Sequence, residues 1–362
     1  MRRATRVAGL AGLLAVAPWL AGTSAARAAS IVIDDADPPG QGLNDPTTVA
    51  PRGGNPATTL GAARLTVFRE AAVIWGSYLS SAVPIRVHAQ MTALTCDSTS
   101  AELADTGTTT VHRDFPMAPL ASTWYPQALA NALSGADLDP TTDDVETEFN
   151  DAIGGASCLP GSSWYLGLDG QPGNGQIDML TVVLHELAHG LGFATFDDLA
   201  TGQKLLGLDD AFLRDMQQLG ANPAAASAMT DAERIAASGS DPDLYWSGAN
   251  VTAGGSALSA GLISGHVRLF APATQQPGSS VSHYSTALFP NELMEPNYTG
   301  PDHDVTLTLD LLRDIGWQPN PAPAVPALPV IGRGAAAFAF LVIAMSKTRR
   351  RRRVATPSDG AA

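Results

Sequence analysis

His185-Glu186-Leu187-Ala188-His189 carries two histidines four residues apart with a carboxylate between them. On a helix, residues i and i+4 share a face, so both imidazoles can aim at one point, and Glu186 can reach a water held there. These residue types at this spacing suit a bound zinc ion and hydrolysis, with Glu186 as general base. Two protein ligands are too few, because catalytic zinc normally takes three and a water. The third must come from elsewhere in the chain.

The elements that would position this pair can be read from their periodicity. Asp178 is placed to cap a helix, and Leu180, Val183, Leu184, Leu187, Ala188 and Leu191 form an apolar stripe at spacings of three and four. Val182, His185, Glu186 and His189 fall on the other side, the wall of a cleft, and Gly190 and Gly192 let the chain stop and turn. Upstream, residues 31–33 read as a strand, 34–59 as a loop, and 60–81 as an amphipathic helix carrying Leu65, Phe68, Ala72, Trp75 and Leu79. Alternation predicts a strand over 83–91, with further strands over 109–115, 146–153 and 163–168. Residues 169–175 with Asp178 read as a Gly-rich turn feeding the helix; the alternative is a calcium loop, though the EF-hand ligand pattern is incomplete. No internal repeat is visible. Beyond Phe193, residues 193–282 form a long insertion with an expected helix over 209–219, a loop-rich stretch at 241–258 and a strand at 267–270.

Charge and composition narrow the setting. Arg2, Arg3 and Arg6 precede an apolar run over 7–21, and Ala26-Arg27-Ala28 supplies a cleavage site, so 1–28 reads as a secretory signal peptide rather than a spanning anchor. The mature chain then begins near Ala29. Between 29 and 320 there are ten basic against 34 acidic residues, a net charge of −24, which argues against nucleic acid and anionic membrane as partners. Residues 321–329 form a Pro-rich linker, followed by an apolar segment at 335–345, Lys347 and five arginines at 349–353. That apolar segment is shorter than the roughly 20 residues a spanning helix needs. Linker, apolar segment and arginine cluster resemble the bacterial C-terminal sorting signals of the PEP-CTERM and exosortase type, although Val325-Pro326-Ala327-Leu328-Pro329 stands where Pro-Glu-Pro is expected. The alternative is a plain membrane anchor with a positive cytoplasmic end.

The second informative stretch is 281–296. His185-Glu186-x-x-His189-x-x-Gly192-Phe193, a long insertion, Ser282-His283-Tyr284, and Glu292-Leu293-Met294-x-Pro296 resemble the leishmanolysin branch of the metzincin zinc peptidases. The segment 307–317, ending Asp314-Ile315-Gly316-Trp317, is similar to that family's last helix. The resemblance runs from about residue 60 to 317 and is sharp only in these three blocks. It implies an α+β fold, with a twisted mixed sheet, long helices above a cleft and an irregular C-terminal subdomain. It implies an N-terminal peptidase subdomain over 29–192 that ends in the zinc helix, and a second part over 193–320. It also implies His283 as third zinc ligand and Met294 as the residue of the turn beneath the metal. The close-spaced position for a third histidine is occupied by Thr195. Rivals for the third ligand are Asp197 and Asp198, read as a solvated loop, and Glu292, which would give a two-His-one-Glu site. His88, His112, His266 and His303 lack motif context and read as surface or strand residues. Tyr284 and Tyr298 are candidates for stabilising the oxyanion by nearness to the motif alone. The cysteine-rich character of the eukaryotic members is missing.

The function implied is an exported zinc endopeptidase acting on protein or peptide substrates as a monomer, with sorting machinery as a further partner of the tail. The alternative is a non-catalytic surface protein that keeps the scaffold for binding; Glu186 speaks against it, being the residue such a protein could most easily lose. Cys96 and Cys158 are the only cysteines, and in an exported chain an even number normally means pairing. The other reading is a free cysteine masking zinc. Pairing closes a loop worth about 4 kcal/mol on the chain-entropy account. Alkylation of the native protein should therefore add nothing, and alkylation after reduction should add one group at each cysteine; labelling without reduction would contradict the pairing.

Overall fold

Four short segments pair into the sheet on which the site is built: β1 (Ile31–Asp35), β2 (Ile85–Thr92), β3 (Ala104–Thr108) and β4 (Val145–Asn150), in the order β1-β2-β4-β3. β2 is parallel to both neighbours, Ile31 lying opposite Ile85 and Val87 opposite Val145. β3 closes one edge antiparallel, with Ala104 opposite Phe149. The alternation in β2 sets its register: Ile85, Val87, Ala89 and Met91 are buried, and Arg86, His88 and Gln90 face the other way. The computed structural model describes residues 27–220 and 224–320. Residues 1–26 of the expected signal peptide over 1–28, and the expected linker, apolar segment and arginine cluster from 321, lie outside the described residues.

Between β1 and β2 runs α1 (Leu60–Tyr78), the crossover that a parallel pair requires. Val67, Phe68, Ala71, Ala72 and Trp75 bury its inner face, while Leu65 is only half-buried. After α2 (Gln127–Ser134), the strand Gln176–Asp178 pairs with Ser163–Tyr165 and feeds α3 (Met179–Leu191), the helix that carries the histidine pair. Asp178 caps α3 as expected, accepting the Thr181 N–H at 2.9 Å. Gly192 ends it at φ 121°, where an added Cβ would lie 2.8 Å from Ile315 Cδ1. α3 packs on α1, β3 and β4. Every residue of α3 except His189 is buried, Val182 included, so the helix is covered all round rather than exposing one face. α6 (Thr306–Asp314) adds to that cover from the second half of the chain; α5 (Ala249–Gly254) packs on α6 in turn, and α4 (Asp231–Ala237) precedes both. One continuous core runs from Ala29 to Trp317.

Two expected elements are corrected. The strand expected over 109–115 pairs earlier, as β3, and leaves only Val111–His112 against Thr123–Pro126. β3 reads Ala-Asp-Thr-Gly-Thr, so its pairing depends on β4 rather than on its own apolar alternation. The helix expected over 209–219 is instead a strand at Asp209–Asp210, a 3-10 turn at Leu213–Asp215 and a strand at Met216–Gln218. Here tertiary pairing wins over helical spacing, since Met216–Gln218 joins Leu244–Trp246 and Asp210 is buried, accepting the Leu213 N–H. Cys96 and Cys158 are joined, with Cα atoms 5.2 Å apart, which removes the reading of a cysteine masking the metal. Among the described residues no helix is long and apolar enough to cross a membrane.

The closeness of α3 to the sheet has a testable consequence. A Cβ on Gly190 would overlap the Val145 side chain of β4. Gly190→Ala should cost about 1–3 kcal/mol through overpacking, and Val145→Ala should recover part of that loss. Equal denaturation midpoints for Gly190→Ala and wild type would contradict this packing.

Candidate metal centre

α3 supplies His185 and His189 from one face, as the spacing requires, but nothing local brings His283, 94 residues beyond His189. Backbone pairing delivers it. Val281 N–H donates to the Phe270 carbonyl, Phe270 N–H to the His283 carbonyl, and Ser285 N–H to the Arg268 carbonyl, at 2.8, 2.9 and 3.0 Å. Tyr284 N–H then donates to the Met294 carbonyl at 2.8 Å, so the third histidine is held between residues 268–270 and the turn at 294. Thr195 N–H also reaches Ser282 Oγ at 3.4 Å, and Asp210 ties Thr195 Oγ1 and Phe196 N–H at 2.8 Å each. The loop leaving α3 is thereby fastened beside the third histidine.

The three Nε2 atoms form a near-equilateral triangle. His185 and His283 are 3.1 Å apart, His185 and His189 3.1 Å, and His189 and His283 3.2 Å. Each Nδ1 faces a backbone carbonyl: His185 that of Leu293 at 2.7 Å, His189 that of Phe193 at 2.8 Å, and His283 that of Ser279 at 2.8 Å. A carbonyl oxygen only accepts, so each Nδ1 carries the proton, and each neutral ring turns its Nε2 lone pair inward. Burial pushes the His185 imidazole down to about 4, against the smaller opposing effect of the Leu293 carbonyl. Three converging lone pairs repel unless a cation lies among them. Two nitrogens on a tetrahedral zinc at its usual bond length are about 3.3 Å apart, close to what the triangle offers. The donor set therefore fits a metal ion, and these three histidines could hold one.

Glu186, one residue past His185 on the same helix, is 2% exposed. Met294 is fully buried, and the turn it occupies contributes through its backbone: the Leu293 carbonyl orients His185 and the Met294 carbonyl holds Tyr284.

Among the described residues, the three histidines are the single grouping of three or more metal-capable side chains. Glu292 is not in it. Its N–H donates to Glu295 Oε1 at 3.1 Å within the turn, so the two-His-one-Glu alternative is not what the geometry assembles. Asp198 accepts the Ala200 N–H in a tight turn. Asp197, expected in a solvated loop, is buried beside the Arg234 guanidinium at 3.3 Å, because α4 folds over it. The calcium-loop alternative fares no better: Asp169 accepts the Tyr165 hydroxyl, and Asp178 accepts from Thr181 and His303. The Tyr284 hydroxyl donates to the Leu307 carbonyl at 3.0 Å inside the core, and that of Tyr298 accepts the Asp178 N–H at the start of α3. His88 lies 3.5 Å from Asp143, His112 3.3 Å from Thr110 Oγ1, and His266 stacks on Tyr245. His303, expected at the surface, is 2.7 Å from the buried Asp178. That pairing spans 125 residues and leaves no local signal in the sequence.

Compared with family models, curated proteins and solved structures, the chain shows no match.

Removing the third ring should show in the metal content. His283→Ala is expected to lose stoichiometric zinc in dialysis against a mild chelator, whereas Glu292→Ala, Asp197→Ala and Asp198→Ala keep it. Retention by His283→Ala together with loss by Glu292→Ala would overturn the ligand assignment.

Proposed function

We propose that this protein is an exported zinc-dependent endopeptidase with a metzincin-type site resembling that of the leishmanolysin branch. The observation that carries the reading is the triangle of inward-turned Nε2 atoms, assembled next to Glu186 on one buried helix. Three imidazoles without thiolate or carboxylate leave the charge of a bound cation uncancelled, the donor set of catalytic rather than structural zinc. Zinc bound there would polarise a scissile carbonyl and bring the pKa of a water toward about 7. Glu186 would serve as the general base toward such a water and would return the proton to the leaving amine. The carbonyls of Leu293, Phe193 and Ser279 hold the ring protons on Nδ1, which keeps all three rings neutral and correctly turned throughout.

A peptide substrate suits the surroundings. β3 is an edge strand packed against α3, and an extended chain can add to such an edge through backbone hydrogen bonds. Of the three ring ligands His189 is the most exposed, so substrate enters from its side. The disulfide and the leader-like first 28 residues support an oxidising, exported setting. The basic tail is read as a sorting signal acting after export.

Glu186→Gln keeps the size of the side chain and removes the base. Purified Glu186→Gln should bind zinc at wild-type stoichiometry and cleave casein or a peptide library at least about a hundredfold more slowly, in line with the usual contribution of a general base. Cleavage at the wild-type rate would refute the role of Glu186, and absence of cleavage by the zinc-loaded wild type would refute the endopeptidase reading.

A further inference from the structure

The start of α3 is tied down by the segment that follows Met294. Asp178 is completely buried, and its Oδ2 accepts three bonds: Thr181 N–H at 2.9 Å, Thr181 Oγ1 at 2.7 Å and His303 Nε2 at 2.7 Å. Its own N–H donates to the Tyr298 hydroxyl at 2.9 Å, and Asp302 N–H donates to Thr181 Oγ1 at 2.9 Å. Further back on the same segment, the Leu293 carbonyl accepts His185 Nδ1. Residues 293–303 thus hold α3 at two levels, its first turn and the ring of its first histidine.

A carbonyl orients a ring only as well as its own chain is fixed. The Leu293 peptide is anchored on one side by Tyr284 N–H to the Met294 carbonyl. On the other side its anchors are Tyr298, Asp302 and His303 at the α3 N-terminus. The cap itself does not require His303, because Thr181 alone satisfies the capping bond. What the imidazole adds is a link between the cap and the turn. It also gives a further donor to a buried carboxylate whose Oδ1 has no hydrogen bond of its own.

We infer that His303 is a positioning residue for the metal centre: by donating to Asp178 it locks residues 293–303 against α3 and keeps the Leu293 carbonyl on His185. The inference rests on the reading of the three histidines as a zinc site. The partner that a ligand histidine donates to tunes metal affinity by about ten- to a hundredfold, and a residue acting one step further out should fall near the lower end.

The test compares wild type, His303→Ala, His303→Gln, Tyr298→Phe and the distant control His88→Ala as full-length purified chains. Zinc affinity is measured by chelator competition, and the cobalt-substituted site by its visible absorption. His303→Ala should bind zinc about tenfold more weakly and show an altered cobalt band. His303→Gln, which keeps an N–H donor at the same reach, should recover both, and His88→Ala should match wild type. Where His303→Ala does not fold by circular dichroism, Tyr298→Phe, which removes only the hydroxyl, should shift affinity and band in the same direction. Wild-type affinity and spectrum in His303→Ala, or in Tyr298→Phe where His303→Ala does not fold, overturn the inference, as does equal loss in the Ala and Gln variants. A wild type that binds neither metal overturns the zinc reading itself.

Discussion

Three imidazole lone pairs turned toward one another at 3.1–3.2 Å are an unfavourable arrangement that a bound cation would relieve, and backbone contacts from distant parts of the chain hold it in place. Two of the rings come from one helix at no topological cost. The third requires some ninety residues of intervening chain to leave and return. That excursion is pinned by pairing of 281–285 with 268–270 and by the bond from Tyr284 to the Met294 carbonyl. Ring orientation is fixed from behind by main-chain oxygens, which cannot rotate away as side chains can. The site is thus held mainly by backbone, and the side chains at risk from substitution are the rings themselves and the groups that fix that backbone.

α3 behaves as a beam gripped along its length. The buried indoles of Trp75 and Trp317 donate to the carbonyls of Leu184 and Leu191 at 3.0 and 2.8 Å, one immediately before His185 and one at the last turn. A buried indole N–H needs an acceptor, and here each finds one on the helix that bears two of the three converging histidines. Phe193 extends the grip, packing edge-on against Tyr284 at 5.0 Å and tilted against Phe212 at 5.6 Å. Rigidity at this level suits a site in which ligand nitrogens must stay within a few tenths of an ångström of their places.

What could be read from the sequence follows the range of the interaction. The cap at Asp178, the histidine pair, the stop at Gly192 and the buried face of α1 are local and periodic, and they emerge as expected. The disulfide follows from parity and setting. His283 is not derivable from spacing; only the resemblance of its flanking blocks to a family pattern points to it, and the geometry brings it to the other two rings. Burial of Asp197 beside Arg234, the bond from His303 to Asp178 and the pairing of β3 are not legible in the sequence, because each depends on a partner far away along the chain. The expected helix at 209–219 shows the opposite failure, in which helical spacing was present but strand pairing and the buried Asp210 decided the conformation.

The central claim is that three imidazoles, and no carboxylate or thiolate of this chain, surround the metal. X-ray absorption at the zinc edge of the metal-loaded protein measures that shell directly. The account predicts three imidazole nitrogens and one further light atom at about 2.0–2.1 Å, with the outer-shell scattering of three rings. A shell with two imidazoles and a carboxylate, or with sulfur at about 2.3 Å, would contradict it.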